Sequence, residues 1–352
     1  MKKYFLISIL FTLIFATEYS GFYRNQFTVY NIKSPILSDI NKARIRIESE
    51  HFVGEFDGLT FHGFDENFYE SPQFSVNQAY AEFDFGMTNT TIGKQIILWG
   101  SGMFWNPTDI FNELPMFDPK IDFSGTNAIR TEIATGDFSY CWGAFSPESS
   151  LEDSSFVLRN VLNVWNSDFG VSYLKNGQLN QEVIAFDVKS QLYGANWWVE
   201  TAKFTTQNYF TYIVGFDYTI NIGNGVYFGA EYFHDESGEN NFENYDLMTQ
   251  ITENRRTLAK DYIFGMVNYS WSYIANSNIV SIINLNDESF IINPSISISP
   301  LQDVEVILGG YIPIGENRTE YRPDFSDYPD LPELMRDIIG KEMLYLWVEV
   351  NF

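Results

Sequence analysis

Apolar and polar residues alternate from one end of this chain to the other. The alternation is clean in Ala43-Arg44-Ile45-Arg46-Ile47 and in Ala79-Tyr80-Ala81-Glu82-Phe83-Asp84-Phe85. It returns in Ile129-Arg130-Thr131-Glu132-Ile133, Ile184-Ala185-Phe186-Asp187-Val188 and Val214-Gly215-Phe216-Asp217-Tyr218. Residues 226–232, 291–298 and 304–308 continue it. Successive side chains of a strand point to opposite faces, so this pattern predicts strands with one apolar face and one charged, amide or small face. A soluble sandwich alternates too; a membrane barrel differs in placing lipid on the apolar side and water on the other.

The links between strands give the topology. Tight links are expected at Gly86-Met87-Thr88-Asn89, Thr135-Gly136-Asp137, 221–225 and 299–303, and long ones at 99–125, 237–257 and 315–341. Putting every long link on one side forces strands alternately up and down, and that parity requires a strand at 156–164. The expected fold is all-β: a single antiparallel transmembrane barrel of about 18 strands at roughly 10 residues each, with about 16 if residues 43–61 contain no turn near Glu50. Short turns then face the periplasm and long loops the outside. No repeats or Pro/Ser linkers interrupt the chain, so it reads as one domain.

Composition supports a barrel. The 352 residues include 18% aromatics and 19% charged residues, with 21 Lys+Arg against 46 Asp+Glu, a net charge of −25. So many aromatics exclude a disordered acidic chain. The acidic excess excludes a nucleic-acid partner, which needs a basic footprint. Cys141 is the one cysteine, so no internal disulfide forms. At the N-terminus Lys2 and Lys3 precede an apolar run over 4–15 and then Ala16. That is the layout of a secretory signal, too short to span as a helix. Residues 1–16 are therefore expected to be a signal peptide and 17–352 the barrel, in the cell outer membrane with the lipid bilayer as its surroundings.

The last strand is patterned to the final residue. Counting back in twos from Phe352 gives Val350, Val348, Leu346 and Leu344, with Asn351, Glu349, Trp347 and Tyr345 between them. A terminal aromatic on such a strand resembles the signal read by the bacterial barrel-assembly machinery. An amphipathic edge strand can pair with an exposed sheet edge of that partner through its backbone.

A second resemblance lies in Gly93-Lys94-Gln95, then Trp99-Gly100, then Asn106-Pro107-Thr108-Asp109. This run is similar to a motif of porin-like outer-membrane barrel proteins, where Arg usually stands in place of Lys94. The resemblance implies fold and membrane, and hardly any chemistry. Read from the residues themselves, Gly100 frees the backbone after a strand, and residues 106–109 can start a helical turn with Pro107 early and Thr108 or Asp109 capping. Such a loop either folds into the lumen as a constriction or packs outside.

Charge toward lipid is costly, roughly 2–4 kcal/mol for Arg or Lys at mid-bilayer. Arg44, Arg46, Glu82, Asp84, Arg130, Glu132, Asp217 and Glu231 are therefore expected in the lumen, either as a self-neutralising network or as a ring that sets ion selectivity. His51, His62 and His234 show no metal-ligand spacing, and no phosphate loop or nucleophile elbow occurs. No catalytic residue, metal or cofactor is expected. Two function classes follow: a moderately cation-preferring channel for small hydrophilic solutes or ions, or a non-conducting barrel whose acidic loops bind a partner, lipid or divalent cations. The oligomeric state is left open.

Overall fold

Pairs of residues reverse the chain at one end of several hairpins. Trp165 and Asn166, and Tyr193 and Gly194, take left-handed conformations with φ between 51° and 82°. Such turns match the twist of the strands they join. The computed structural model describes residues 18–63, 69–109, 111, 122–246, 257–325 and 333–352. Residues 1–16, expected as a signal peptide, lie outside the described residues.

Eighteen strands form. The first six are β1 (Glu18–Tyr30), β2 (Ile36–Ser49), β3 (Phe52–Gly63), β4 (Tyr69–Asp84), β5 (Thr88–Gln95) and β6 (Thr126–Ala134). Next come β7 (Tyr140–Ser146), β8 (Ser155–Val164), β9 (Ser167–Asn176), β10 (Gln181–Leu192), β11 (Ala195–Phe204) and β12 (Tyr209–Ile220). The last are β13 (Val226–Asp235), β14 (Asp261–Ser272), β15 (Ala275–Asn284), β16 (Phe290–Leu301), β17 (Val304–Ile314) and β18 (Met343–Asn351). Each strand pairs antiparallel with its neighbours in sequence, and β1 pairs with both β2 and β18, which closes the barrel. The count of 18 and the turn at Glu50 both hold. Two tight links are shorter than expected: Thr88 and Asn89 belong to β5, and β16 runs through to Leu301 before turning at Gln302 and Asp303.

The outer wall is apolar over most of its area. Ile45, Ile184, Phe186, Leu308, Leu344 and Leu346 are exposed, while their sequence neighbours Ile307, Tyr345 and Trp347 are buried inside. At the short-turn end, Phe85, Phe138, Trp165, Tyr193 and Tyr273 stand out from the rim, as aromatic girdles do at a membrane–water boundary. One patch of the wall breaks the pattern. Tyr23, Asn25, Asp39 and Asn41 share the outer face of β1 and β2, since cross-strand partners share a face and Tyr23 and Ile45 are exposed there.

The expectation of lipid on the apolar side of the wall and water on the other is only half right. A buried cluster containing Trp105, Trp198, Phe233, Tyr262, Tyr345 and Trp347 fills the side of the barrel bounded by β11–β18. A smaller one around Ile97, Trp99, Trp142 and Leu174 lies against β6–β11. An 18-strand lumen is too wide for wall side chains to meet across it, so an apolar inner face needs something from a loop to pack on.

Candidate functional site

That something is the chain after β5. Ile97 and Trp99 are buried, and the Trp99 ring meets Trp142 and Phe111 edge-on at 5.5 Å. Gly100 then takes φ +109°, and a Cβ there would sit 2.3 Å from Asn106 Oδ1. Only glycine fits. The Asn106 side chain accepts a bond from Gly102 N at 3.0 Å, and its carbonyl accepts one from Asp109 N at 3.0 Å. Residues 106–109, including Pro107, thus close a single turn. Asp109 in turn accepts from Phe111 N at 3.2 Å.

Two carboxylates of the barrel wall hold this loop inside. Glu200 on β11 is fully buried, at 0% exposure, and accepts from Ser101 N at 2.6 Å, Thr108 N at 3.1 Å and Thr108 Oγ1 at 2.7 Å. Glu231 on β13, at 1%, accepts from Met103 N at 2.7 Å, Phe104 N at 3.3 Å, Trp105 N at 2.8 Å and Trp198 Nε1 at 2.7 Å. Successive backbone N–H groups converging on one carboxylate form a concave anion seat, here with the anion supplied by the wall. Apolar stacking completes the hold: Phe104 lies on Phe264 at 4.7 Å and Trp105 on Phe233 at 5.1 Å. Beside Glu200, Asp187 accepts from Ser101 Oγ at 3.1 Å and pairs with Arg159 at 2.6 and 2.9 Å.

The loop end of the same side is closed by further chain. Tyr262 donates to Glu320 at 2.7 Å, and its hydroxyl accepts from Ala259 N at 2.7 Å. Asn284 donates to Glu320 at 2.7 Å and to the Tyr245 hydroxyl at 3.0 Å. Burial pushes the Tyr245 and Tyr321 hydroxyls up from the ordinary phenol range. Glu320, in the long acidic link over 315–341, is buried at this seam. Among the described residues no group of three or more His, Cys, Asp or Glu side chains is placed to hold a metal.

The opposite side, β1–β6, keeps a charged inner face. Arg44 makes a forked pair with Asp57 at 2.6 Å and reaches Glu55 at 3.2 Å and Asp122 at 2.9 Å. Lys42 pairs with Asp57 at 3.2 Å and with Asp122. Burial alone would raise the Asp122 carboxyl, but Lys42 and Arg44 outweigh it and hold the group below the usual carboxylate range. Arg46 bridges Glu48 at 3.0 Å and Glu55 at 3.4 Å, and Arg24 pairs with Glu349 at 2.7 Å. Arg130 pairs with Glu132 at 2.7 Å and lies over the Trp142 ring at 5.0 Å.

The remaining sequence candidates lie toward the short-turn end of the inner face. Glu82 accepts from Asn89 at 2.6 Å, Asp84 from Gly86 N at 2.7 Å and Asp217 from Asn196 at 2.7 Å. None of the three has a cationic partner among these bonds. Sequence reasoning missed Glu200 and Arg159. A signal existed for the first: Glu200 shares its face of β11 with Trp198 and Ala202, and a carboxylate among apolar neighbours needs a buried partner. At the last strand, Leu344, Leu346 and Val350 face outward, Val348 is half-buried, and Phe352 exchanges backbone hydrogen bonds with Gly21 at 3.0 Å.

Solved structures share this architecture. OpdQ of Pseudomonas aeruginosa aligns with a TM-score of 0.59 at 11% identity, over 95% of this chain and 97% of its own. The outer membrane protein OpdK of the same organism gives 0.58 at 10%, over 96% and 99%. Wzi of Escherichia coli, a carbohydrate-binding β-barrel involved in group 1 capsule assembly, gives 0.59 at 10%, over 98% and 87%. At these identities the likeness establishes the fold. The chain matches no protein-family model and no curated protein.

Proposed function

We propose that this chain is an outer-membrane channel for passive diffusion of small hydrophilic solutes or ions, with a moderate preference for cations. Residues 1–16 serve as its export signal, and the short turns face the periplasm. The carrying observation is the inner face of β1–β6, which stays charged while the loop after β5 is held against the far wall by Glu200 and Glu231. Along that polar wall Arg44, Arg46 and Arg130 are matched by carboxylates, whereas Glu82, Asp84 and Asp217 add negative charge near the periplasmic mouth. Carboxylate rings attract cations and repel anions.

The outward set Leu344, Leu346, Val348, Val350 and Phe352 supports recognition by the barrel-assembly machinery. Deleting Phe352 should lower the amount of heat-modifiable barrel without changing export, and an undiminished amount would refute that role.

The channel itself is tested by refolding the chain into planar bilayers. Discrete conductance steps are expected, with a reversal potential in a KCl gradient of the sign for cation preference. Anion preference would overturn the selectivity. Absence of current would favour a second reading, a non-conducting barrel that binds a partner. Two observations favour that reading: the aromatic filling along β11–β18, and the likeness to Wzi, a barrel described as carbohydrate-binding.

A further inference from the structure

The outer wall carries a polar patch where an apolar band is required. Asn25 on β1 and Asn41 on β2 are cross-strand partners at one height, and Val348 flanks Asn25 on β18. Asp39 stands level with Phe27 and Leu346. Gly21 and Phe352 mark the short-turn end of this seam. With a rise of about 3.3 Å per residue and a strand tilt of about 40°, Asn25 and Asp39 sit roughly 10 and 15 Å above it. Both heights fall within an apolar band about 25 Å tall, where lipid tails offer no hydrogen bonds.

The patch is only partly satisfied within the chain. Asn25 Nδ2 donates to Asp39 Oδ1 at 2.5 Å and to Asn41 Oδ1 at 3.0 Å. Asn41 Nδ2 donates to Asp39 Oδ2 at 3.2 Å, and the Tyr23 hydroxyl donates to Asn41 Oδ1. A side-chain amide has two N–H donors and an acceptor oxygen. One N–H of Asn41 and the oxygen of Asn25 are therefore left over, facing outward. Tyr23, at 47% exposure, opens the same face to its surroundings.

We propose that this patch is the contact between two copies of the chain standing side by side in the membrane. All copies insert in the same orientation, so a two-fold axis relating them must run along the membrane normal. Such an axis places β1 of one copy opposite β2 of its partner at equal height. The leftover donor of Asn41 then meets the leftover oxygen of Asn25 across the axis, and the same bond forms again in reverse. A two-fold contact needs a surface complementary to itself, and one donor and one acceptor on adjacent strands meet that need. Lipid cannot supply either partner, and amide pairs are what hold polar positions together inside membranes.

Site-directed cross-linking in native outer membranes tests this. In a C141S background, A43C lies on the outward face of β2 beside the patch, and I184C lies on the outward face of β10 across the barrel. A short bis-maleimide should give a covalent dimer from A43C at least tenfold more abundant than from I184C. Adding Asn41→Leu to A43C should cut that dimer at least tenfold while the heat-modifiable barrel persists, because leucine suits a lipid-facing wall. Equal yields at the two sites, no A43C dimer, or an adduct of A43C with a different protein would overturn the proposal. So would a dimer that Asn41→Leu leaves unchanged. If that variant fails to assemble, the contrast between A43C and I184C decides alone.

Discussion

On the β1–β6 side of the lumen, carboxylates meet cations: Asp57 and Glu55 are held by Arg44, Lys42 and Arg46 from the neighbouring strand. On the β11–β13 side, Glu200 and Glu231 meet N–H groups of a loop that lies far away in sequence. The first arrangement keeps formal charge of both signs along the wall, each carboxylate matched by a guanidinium or ammonium group of the adjacent strand. The second uses neutral donors alone: Glu200 and Glu231 are both fully buried, and their bonds come from backbone N–H groups, the Thr108 hydroxyl and the Trp198 indole. The same residue type is thus neutralised by cations on one side and anchors a loop on the other. The choice of partner makes the difference.

Removing an anchor should give the largest effect. Glu231→Ala leaves the N–H groups of Met103, Phe104, Trp105 and Trp198 without an acceptor, and each unsatisfied buried donor costs about 1–3 kcal/mol. The loop is expected to leave its seat, raising single-channel conductance several-fold and exposing residues 99–109 to protease. An unchanged conductance would show that both sides obstruct equally.

The ion pairs should respond less, and in selectivity rather than size. Arg44→Ala removes one cationic partner from Asp57, Glu55 and Asp122 together, leaving Lys42 and Arg46 to cover three carboxylates. Cation preference should rise by about twofold in the permeability ratio, since uncompensated carboxylates attract counter-ions, with conductance changed little. A fall in cation preference would show that this wall does not face the permeating ions.

Acid should act more gently still, and first on the charged side. Asp122, held below its ordinary value by Lys42 and Arg44, contributes stability that is present above the unfolded carboxylate range and lost as pH falls through the lower folded value. Acidification below about pH 4 should therefore loosen the attachment of residue 122 to β2, read as a lower hydrogen-exchange protection factor there once the intrinsic pH dependence of exchange is divided out. Asp122→Asn should abolish the pH dependence of that protection factor. A dependence that survives the substitution would place its origin elsewhere.

Much of the barrel was legible because strand periodicity is local. Ala43 to Ile47 alternates on its own terms, and the parity of turns was enough to demand the strand that appears as β8. The contents of the lumen were not legible by that route. In the stretch Tyr262, Ile263, Phe264, Gly265, Met266, Val267 both faces are apolar, so alternation could not say which one turned inward. The inner set is fixed by Phe104 and Trp105, which arrive from a loop more than 150 residues earlier. The motif around Trp99 and Asn106 marked a special loop, but the choice between inside and outside depended on Glu200 and Glu231, whose partners are equally remote. The outer patch escaped for a different reason: Ser38, Asp39, Ile40 and Asn41 put a polar group on each face, which no two-sided rule anticipates.

The separation between loop and anchors also orders events in time. Arg44 and Asp57 are 13 residues apart and meet as soon as one hairpin forms, whereas Trp105 and Glu231 are 126 apart. Contacts of such long range must wait for the chain between them to be placed. Until β13 has joined the sheet the seat for Met103, Phe104 and Trp105 does not exist, and the nascent barrel carries an unseated strap of exposed aromatics.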